Sequence, residues 1–86
     1  MAKKTSIVNL YQFQMQKDYF KKKFPQFKGR WKLATIGNVS GLRCDIIRYF
    51  GNDKPGAEIF HIMQRACKSI EWYLEERTFE GKYYSK

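Results

Sequence analysis

The chain has 86 residues, which is enough for one domain and too few for two. Apolar residues make up 43% of it, so a globular core is expected and extensive disorder is excluded. Seventeen Lys and Arg residues against eight Asp and Glu residues give a net charge of +9, which favours an anionic partner.

The first ordered segment begins near Thr5 or Ser6, either of which can cap a helix. Its apolar residues fit one face of a helix and, almost equally well, one side of a strand. We predict a helix over residues 6–24, ending before Pro25, with a strand over 6–15 as the alternative. Residues 1–5 are expected to be a flexible N-terminus.

Residues 31–50 have the pattern of an antiparallel β-hairpin. Two strand-like runs, 31–36 and 42–50, flank the sequence Gly37-Asn38-Val39-Ser40-Gly41, whose length and terminal glycines are common in hairpin loops. Alternation in the second run predicts that Leu42, Cys44 and Ile46 share the face that is buried.

The last predicted element is an amphipathic helix over about residues 58–76. Asp53 is the expected N-cap and Pro55 lies in the first turn. Apolar residues then recur at helical spacing from Ile59 to Leu74. We expect this helix to pack on the buried face of the hairpin, and residues 78–86 to form a loose tail.

These elements predict a small α+β fold in a single domain, residues 1–86. It would contain an N-terminal helix (or strand), an antiparallel β-hairpin and a C-terminal amphipathic helix packed on the sheet. No apolar run is long enough for a membrane-spanning helix, and no secretory signal follows the N-terminal lysines, so we expect a cytoplasmic protein of a cell or an infected host.

No motif in the sequence predicts a catalytic, metal or cofactor site. His61 lies alone within the predicted last helix, and Cys44 and Cys67 do not form a metal-binding CxxC pair, so we expect reduced thiols and no metal. The glycines of 37–41 lack the Lys-Ser/Thr of a phosphate-binding loop. We therefore expect a protein that is not an enzyme and has no cofactor.

The positive charge is concentrated in the first half of the chain. Residues 1–48 hold eleven basic and two acidic residues, whereas residues 49–86 hold six of each. The densest stretch, 17–32, interleaves seven Lys and Arg residues with five aromatic ones. Cations neutralise phosphates and flat rings stack on unpaired bases, so this stretch is typical of nucleic-acid binding.

The sequence predicts a binding face for nucleic acid or a protein partner, centred on this basic aromatic stretch. The candidate residues are Lys17, Lys21, Lys22, Lys23, Phe27, Lys28, Arg30, Trp31, Lys32 and Arg43. Binding of single-stranded or structured DNA or RNA is the first hypothesis. The alternative is a small inhibitor or adaptor, of the kind that phages and plasmids encode, which binds an acidic protein surface through the same face. Homo-oligomerisation is compatible with either hypothesis.

Overall fold

A mixed five-stranded sheet forms the centre of the fold in the computed structural model, which describes residues 5–74 and 81–84. In chain order the elements are β1 (Ile7–Tyr11), α1 (Lys17–Lys23), β2 (Arg30–Leu33), α2 (Ile36–Ser40), β3 (Ile46–Gly51), α3 (Ala57–Ala66), β4 (Ser69–Leu74) and β5 (Gly81–Tyr84). A short 3-10 helix, Gln14–Gln16, leads into α1.

The strand order is β2-β1-β3-β4-β5, and the first four strands are parallel. The added edge strand β5 is antiparallel to β4. Parallel neighbours need crossover connections, so each helix that joins them must lie on a face of the sheet. Here α1 covers one face, and α2 and α3 cover the other.

The two faces carry two separate cores. Under α2 and α3 lies the main core, made of Val8, Leu10, Val39, Leu42, Ile47, Tyr49, Met63, Ala66, Cys67 and Ile70. Under α1 lies the aromatic core, made of Phe20, Phe24, Phe27, Trp31, Phe50 and Tyr73. In each parallel strand, successive side chains point to opposite cores, so both faces of the sheet are buried.

The predicted β-hairpin over residues 31–50 is wrong. β2 and β3 are not neighbours, because β1 lies between them and pairs in parallel with both. Residues 37–40 of the predicted loop belong to helix α2, whose N-cap Thr35 accepts a hydrogen bond through its hydroxyl from the Asn38 backbone N–H at 3.1 Å. This side-chain cap stabilises a helix start within a segment whose composition is typical of a turn.

The predicted N-terminal helix over residues 6–24 is wrong for its first part. Ile7–Tyr11 forms the central strand β1, as in the alternative prediction, and the α-helix begins only at Lys17. The burial of β1 on both faces explains the ambiguity, since a strand buried on both sides does not alternate between apolar and polar residues. The end of the helix before Pro25 agrees with the prediction.

The predicted helix over residues 58–76 is two elements. α3 ends at Ala66, and Cys67 is extended, with φ of −149° and ψ of 172°. Ser69–Leu74 then forms β4 beside β3. Ile70 and Tyr73 fit a helical spacing by coincidence, but they contribute to opposite cores as strand residues do. The N-cap is Gly56 and not Asp53.

The predicted packing of the buried face against the last helix holds only in part. Leu42 and Cys44 contact the main core together with Met63 and Ala66 of α3. Ile46 starts β3 and alternates with Ile47, so it points to the side of the sheet that α1 covers.

The predictions for the two chain ends fall mostly outside the described residues, which do not include 1–4, 75–80, 85 and 86. Within the predicted tail, Gly81–Tyr84 pairs with β4 as strand β5. None of the helices in the described part of the chain is long and apolar enough to cross a membrane.

Phe50 joins the aromatic core to the sheet, so its truncation should be costly. Its ring lies 4.8 to 6.0 Å from the rings of five residues, Phe20, Phe24, Phe27, Trp31 and Tyr73. We expect Phe50→Ala to lower the free energy of unfolding by about 3–5 kcal/mol, measured by urea denaturation.

Phe13→Ala is the matched control for this change. The Phe13 side chain is 48% exposed, and we expect its loss to change the free energy of unfolding by no more than about 0.5 kcal/mol. Equal effects of the two substitutions would contradict the central position of Phe50.

Candidate nucleic-acid interface

Parallel pairing divides the connecting segments between two ends of the sheet. The amino ends of β1 to β4 lie together, and the segments that enter these strands meet there. We call this end the amino edge and define it by Ser6, 28–30, 43–45 and 65–68. Backbone hydrogen bonds join these segments, for example Asp45 N–H to Ser6 O at 2.9 Å and Cys44 N–H to Ala66 O at 3.0 Å.

Five basic residues from separate parts of the sequence lie at the amino edge: Lys28, Arg30, Arg43, Arg65 and Lys68. All five are exposed. Arg65 lies in the last turn of α3 and Lys68 directly precedes β4, so both lie far from the basic stretch 17–32 that the sequence singled out. Sequence reasoning missed them because it assigned both to one continuous helix.

Asp45 is the acidic residue within these segments, and its charge is already compensated. Its carboxylate lies 3.5 Å from the Lys68 ammonium and accepts a hydrogen bond from the Ser6 N–H at 2.9 Å. Lys28, Arg30, Arg43 and Arg65 therefore keep an excess of positive charge at this edge.

A groove of about 450 Å³ opens between these segments. Its lining residues are Ser6, Arg43, Cys44, Asp45, Arg65, Ala66, Cys67 and Lys68. A second groove of about 240 Å³ shares Arg43, Arg65 and Ala66 with the first. The Arg43 guanidinium donates a hydrogen bond to Leu42 O at 3.0 Å, which holds this side chain in place beside the groove.

The lysines of α1 form a second basic surface, on the face of the sheet that α1 covers. Lys21, Lys22 and Lys23 are exposed, while Lys17 at the start of the helix is half-buried. The Lys23 ammonium lies 5.6 Å from the centre of the Tyr19 ring. The segment that follows α1 leads to Lys28 and Arg30, so the two basic surfaces are continuous along the chain.

The two aromatic residues predicted to contact a partner, Phe27 and Trp31, make ring contacts within the fold. Trp31 packs on Phe50 with ring centres 4.8 Å apart, and the Arg48 guanidinium lies 4.1 Å from the centre of the Phe27 ring. Both rings are half-buried. Lys32, also half-buried, lies on the outer strand β2.

A buried polar row crosses the sheet under Phe27. Asn9, Arg48 and Glu71 are register partners on β1, β3 and β4. The Arg48 Nε lies 3.6 Å from a Glu71 carboxylate oxygen, and the Tyr73 hydroxyl donates to the same oxygen at 2.5 Å. In the described part of the chain, the fully buried Asn9 amide makes no hydrogen bond through Oδ1 or Nδ2.

At the opposite end of the sheet, the position where open parallel sheets usually bind ligands is closed. Such sites lie at the carboxyl ends of neighbouring strands whose connections leave to opposite faces, here β1 and β3. Gln12 and Asn52 fill this position, with the Asn52 N–H donating to Gln12 Oε1 at 2.8 Å. Gly51 is needed beneath them, because a Cβ there would lie 2.8 Å from Gln12 Cβ, which cannot move without the backbone.

Burial raises the pKa values of both thiols near the groove. For Cys67 burial is the largest cause and Cys44 a further one, and together they raise the pKa to about 12. For Cys44, burial and then the Asp45 carboxylate raise the pKa, while the Arg30 charge partly offsets them. Both cysteines are free, and the described residues contain no group of three or more His, Cys, Asp or Glu that could hold a metal ion.

The comparisons with known proteins add nothing to this geometry. No model of a protein family, no curated protein and no solved structure matches the chain.

The polar row predicts a loss of stability at high pH. Burial, followed by the hydrogen bond to Glu71 and its charge, raises the pKa of Tyr73 from 10 to about 12. The unfolded chain ionises this tyrosine near pH 10, so its contribution to stability is complete below pH 10 and is lost as the pH rises towards 12. We expect the free energy of unfolding to fall over this range.

Urea denaturation of the wild-type chain and of Tyr73→Phe, at about pH 8 and about pH 11, checks this expectation. Phenylalanine cannot ionise, so the stability of the variant should fall less between the two pH values. A parallel fall in both proteins would contradict the assignment, since Tyr49, whose pKa burial also raises to about 12, is present in both.

Proposed function

We propose that this chain is a non-catalytic protein that binds the phosphate backbone of nucleic acid through its amino edge. The observation that carries the proposal is the meeting of Lys28, Arg30, Arg43 and Arg65 around one end of the sheet, where the acid Asp45 is already paired. Like charges brought together by a fold repel one another, and an anionic partner removes that repulsion.

Phosphate contacts support binding that is independent of base sequence. Cations that neutralise phosphates release counterions, so the affinity falls steeply as the salt concentration rises. Phe27 and Trp31 pack within the aromatic core, which leaves the cations as the principal contacts. The exposed α1 residues Lys21, Lys22 and Lys23 provide a second basic surface.

The salt dependence of binding tests the proposal. We expect the wild-type chain to bind fluorescent single-stranded and duplex oligonucleotides of several sequences with similar affinity, measured by anisotropy. Arg43→Ala combined with Arg65→Ala should weaken binding to all of them and make the slope of log K against log salt shallower by up to about two units.

The triple variant with Lys21, Lys22 and Lys23 changed to alanine measures the contribution of α1. Its slope should be shallower by up to about three units if each lysine contacts a phosphate. Lys54→Ala is the matched control, because Lys54 is exposed but follows β3 at the opposite end of the sheet. We expect this control to bind as the wild type does.

Two results would contradict the proposal. One is the absence of nucleic-acid binding by the wild-type chain at moderate salt. The other is an Arg43/Arg65 double variant that is folded by circular dichroism and binds with unchanged affinity and slope. Either result would favour an acidic protein surface as the partner.

A further inference from the structure

Cys44 and Cys67, which are far apart in the sequence, lie near each other at the amino edge. The parallel ladder of β3 and β4 begins with Ile46 opposite Ser69. Cys44 lies two residues before β3 and Cys67 two residues before β4, so both cysteines lie where these adjacent strands begin. The Cys44 N–H donates a hydrogen bond to Ala66 O at 3.0 Å, which joins the two chain segments that carry the cysteines.

This arrangement suits a disulfide. Neighbouring strands lie about 4.8 Å apart, and disulfides join residues whose Cα atoms are about 4.4–6.8 Å apart. Both thiols are free, both line the same groove, and both contact the main core.

The two thiols differ in their access to solvent. Cys44 is half-buried and reachable from the groove, whereas Cys67 is buried, with 8% of its surface exposed. The Cys67 sulfur lies 3.2 Å from the carbonyl oxygens of Met63 and Ser69. A reagent in solution therefore reacts with Cys44 first. Cys67 then reacts with the group that is attached to the Cys44 sulfur.

The charge of the groove selects the reagent. The guanidinium groups of Arg43 and Arg65 lie along the groove that Cys44 lines, and Arg30 acts on Cys44 through its charge. A small anionic disulfide is attracted to such a site, and a cationic one is repelled.

We propose that Cys44 and Cys67 form a reversible disulfide by exchange with a low-molecular-weight anionic disulfide that binds in the basic groove. The proposal is independent of nucleic-acid binding, since it rests on the position of the two cysteines before adjacent strands and on the access to the two sulfurs.

The exchange proceeds in two balanced steps. The Cys44 thiol first loses its proton to water, and the resulting thiolate attacks one sulfur of the reagent. The S–S bond of the reagent breaks, a new S–S bond to Cys44 forms, and one anionic thiolate leaves. The Cys67 thiolate then attacks the Cys44 sulfur and expels the second thiolate. The protein is oxidised by two electrons, and the reagent is reduced to two thiols. Excess thiol reverses both steps.

The experiment incubates the reduced, full-length protein with glutathione disulfide and follows its mass. We expect the wild-type chain to end as a species that has lost two hydrogen atoms, with the glutathione adduct as an intermediate. Cys67→Ser should stop at the adduct, because the resolving thiol is absent. Cys44→Ser should react at least about tenfold more slowly, because its remaining thiol is buried.

Charge selection has its own control. Cystamine, a cationic disulfide, is compared with glutathione disulfide. For each reagent, the rate of reaction with the folded chain is divided by the rate with the urea-unfolded chain, which removes differences in intrinsic reactivity. We expect this ratio to favour glutathione disulfide by about tenfold at low salt, and less at high salt. Arg43→Ala combined with Arg65→Ala should reduce the preference, whereas Lys54→Ala should leave it unchanged.

Several outcomes would overturn the proposal. They are a wild-type chain that stays reduced or stops at the glutathione adduct, a Cys67→Ser chain that remains unmodified, and a Cys44→Ser chain that reacts as fast as the wild type. Equal normalised rates for the two reagents at low salt would also overturn it. Circular dichroism verifies the fold of each variant, and the wild-type product decides the outcome if a variant is unfolded.

Discussion

The parallel pairing of β1 with both β2 and β3 is the constraint on which the rest of the structure depends. Strands that run in the same direction cannot be joined by tight turns, so each connection crosses a face of the sheet. The chain places α1 on one face and α2 and α3 on the other, and this arrangement buries β1 on both sides. All segments that enter the parallel strands are thereby brought to one end.

This convergence explains how a short chain builds a charged site without a motif. Arg30, Arg43 and Arg65 are far apart in the sequence: Arg30 begins β2, Arg43 lies between α2 and β3, and Arg65 lies in the last turn of α3. Arg65 in the last turn of α3 also interacts favourably with the negative end of the helix dipole. The same placement brings Cys44 near Cys67, so the basic groove contains a pair of thiols as well as cations.

The buried polar groups next to the aromatic core lower the stability of the fold. Asn9 and Arg48 lie in the floor of this core, and the Asn9 amide is buried without a hydrogen bond among the described residues. An unsatisfied buried polar group costs about 1–3 kcal/mol. The packing of Phe27 on Arg48, together with the ring contacts of Phe50, offsets part of this cost. Stability on this face therefore depends mainly on the rings, among them Phe27 and Trp31, which the sequence marked for binding.

The sequence by itself determined the properties that depend on composition and short-range pattern. These are a single small domain, the excess of positive charge in the first half, the end of α1 before Pro25, and the helical spacing from Ile59 to Ala66. Strand pairing was decided only in the tertiary structure. The residues of 69–74 satisfy both a helical and an extended pattern, and only the vacant edge of β3 selects the strand. The glycines of 37–41 suit a turn equally well, and β1, lying between β2 and β3, makes that turn impossible. Arg65, Lys68 and the Cys44–Cys67 pair could not be found from the sequence for the same reason. Their proximity follows from long-range backbone hydrogen bonds, which leave no periodic signal in the chain.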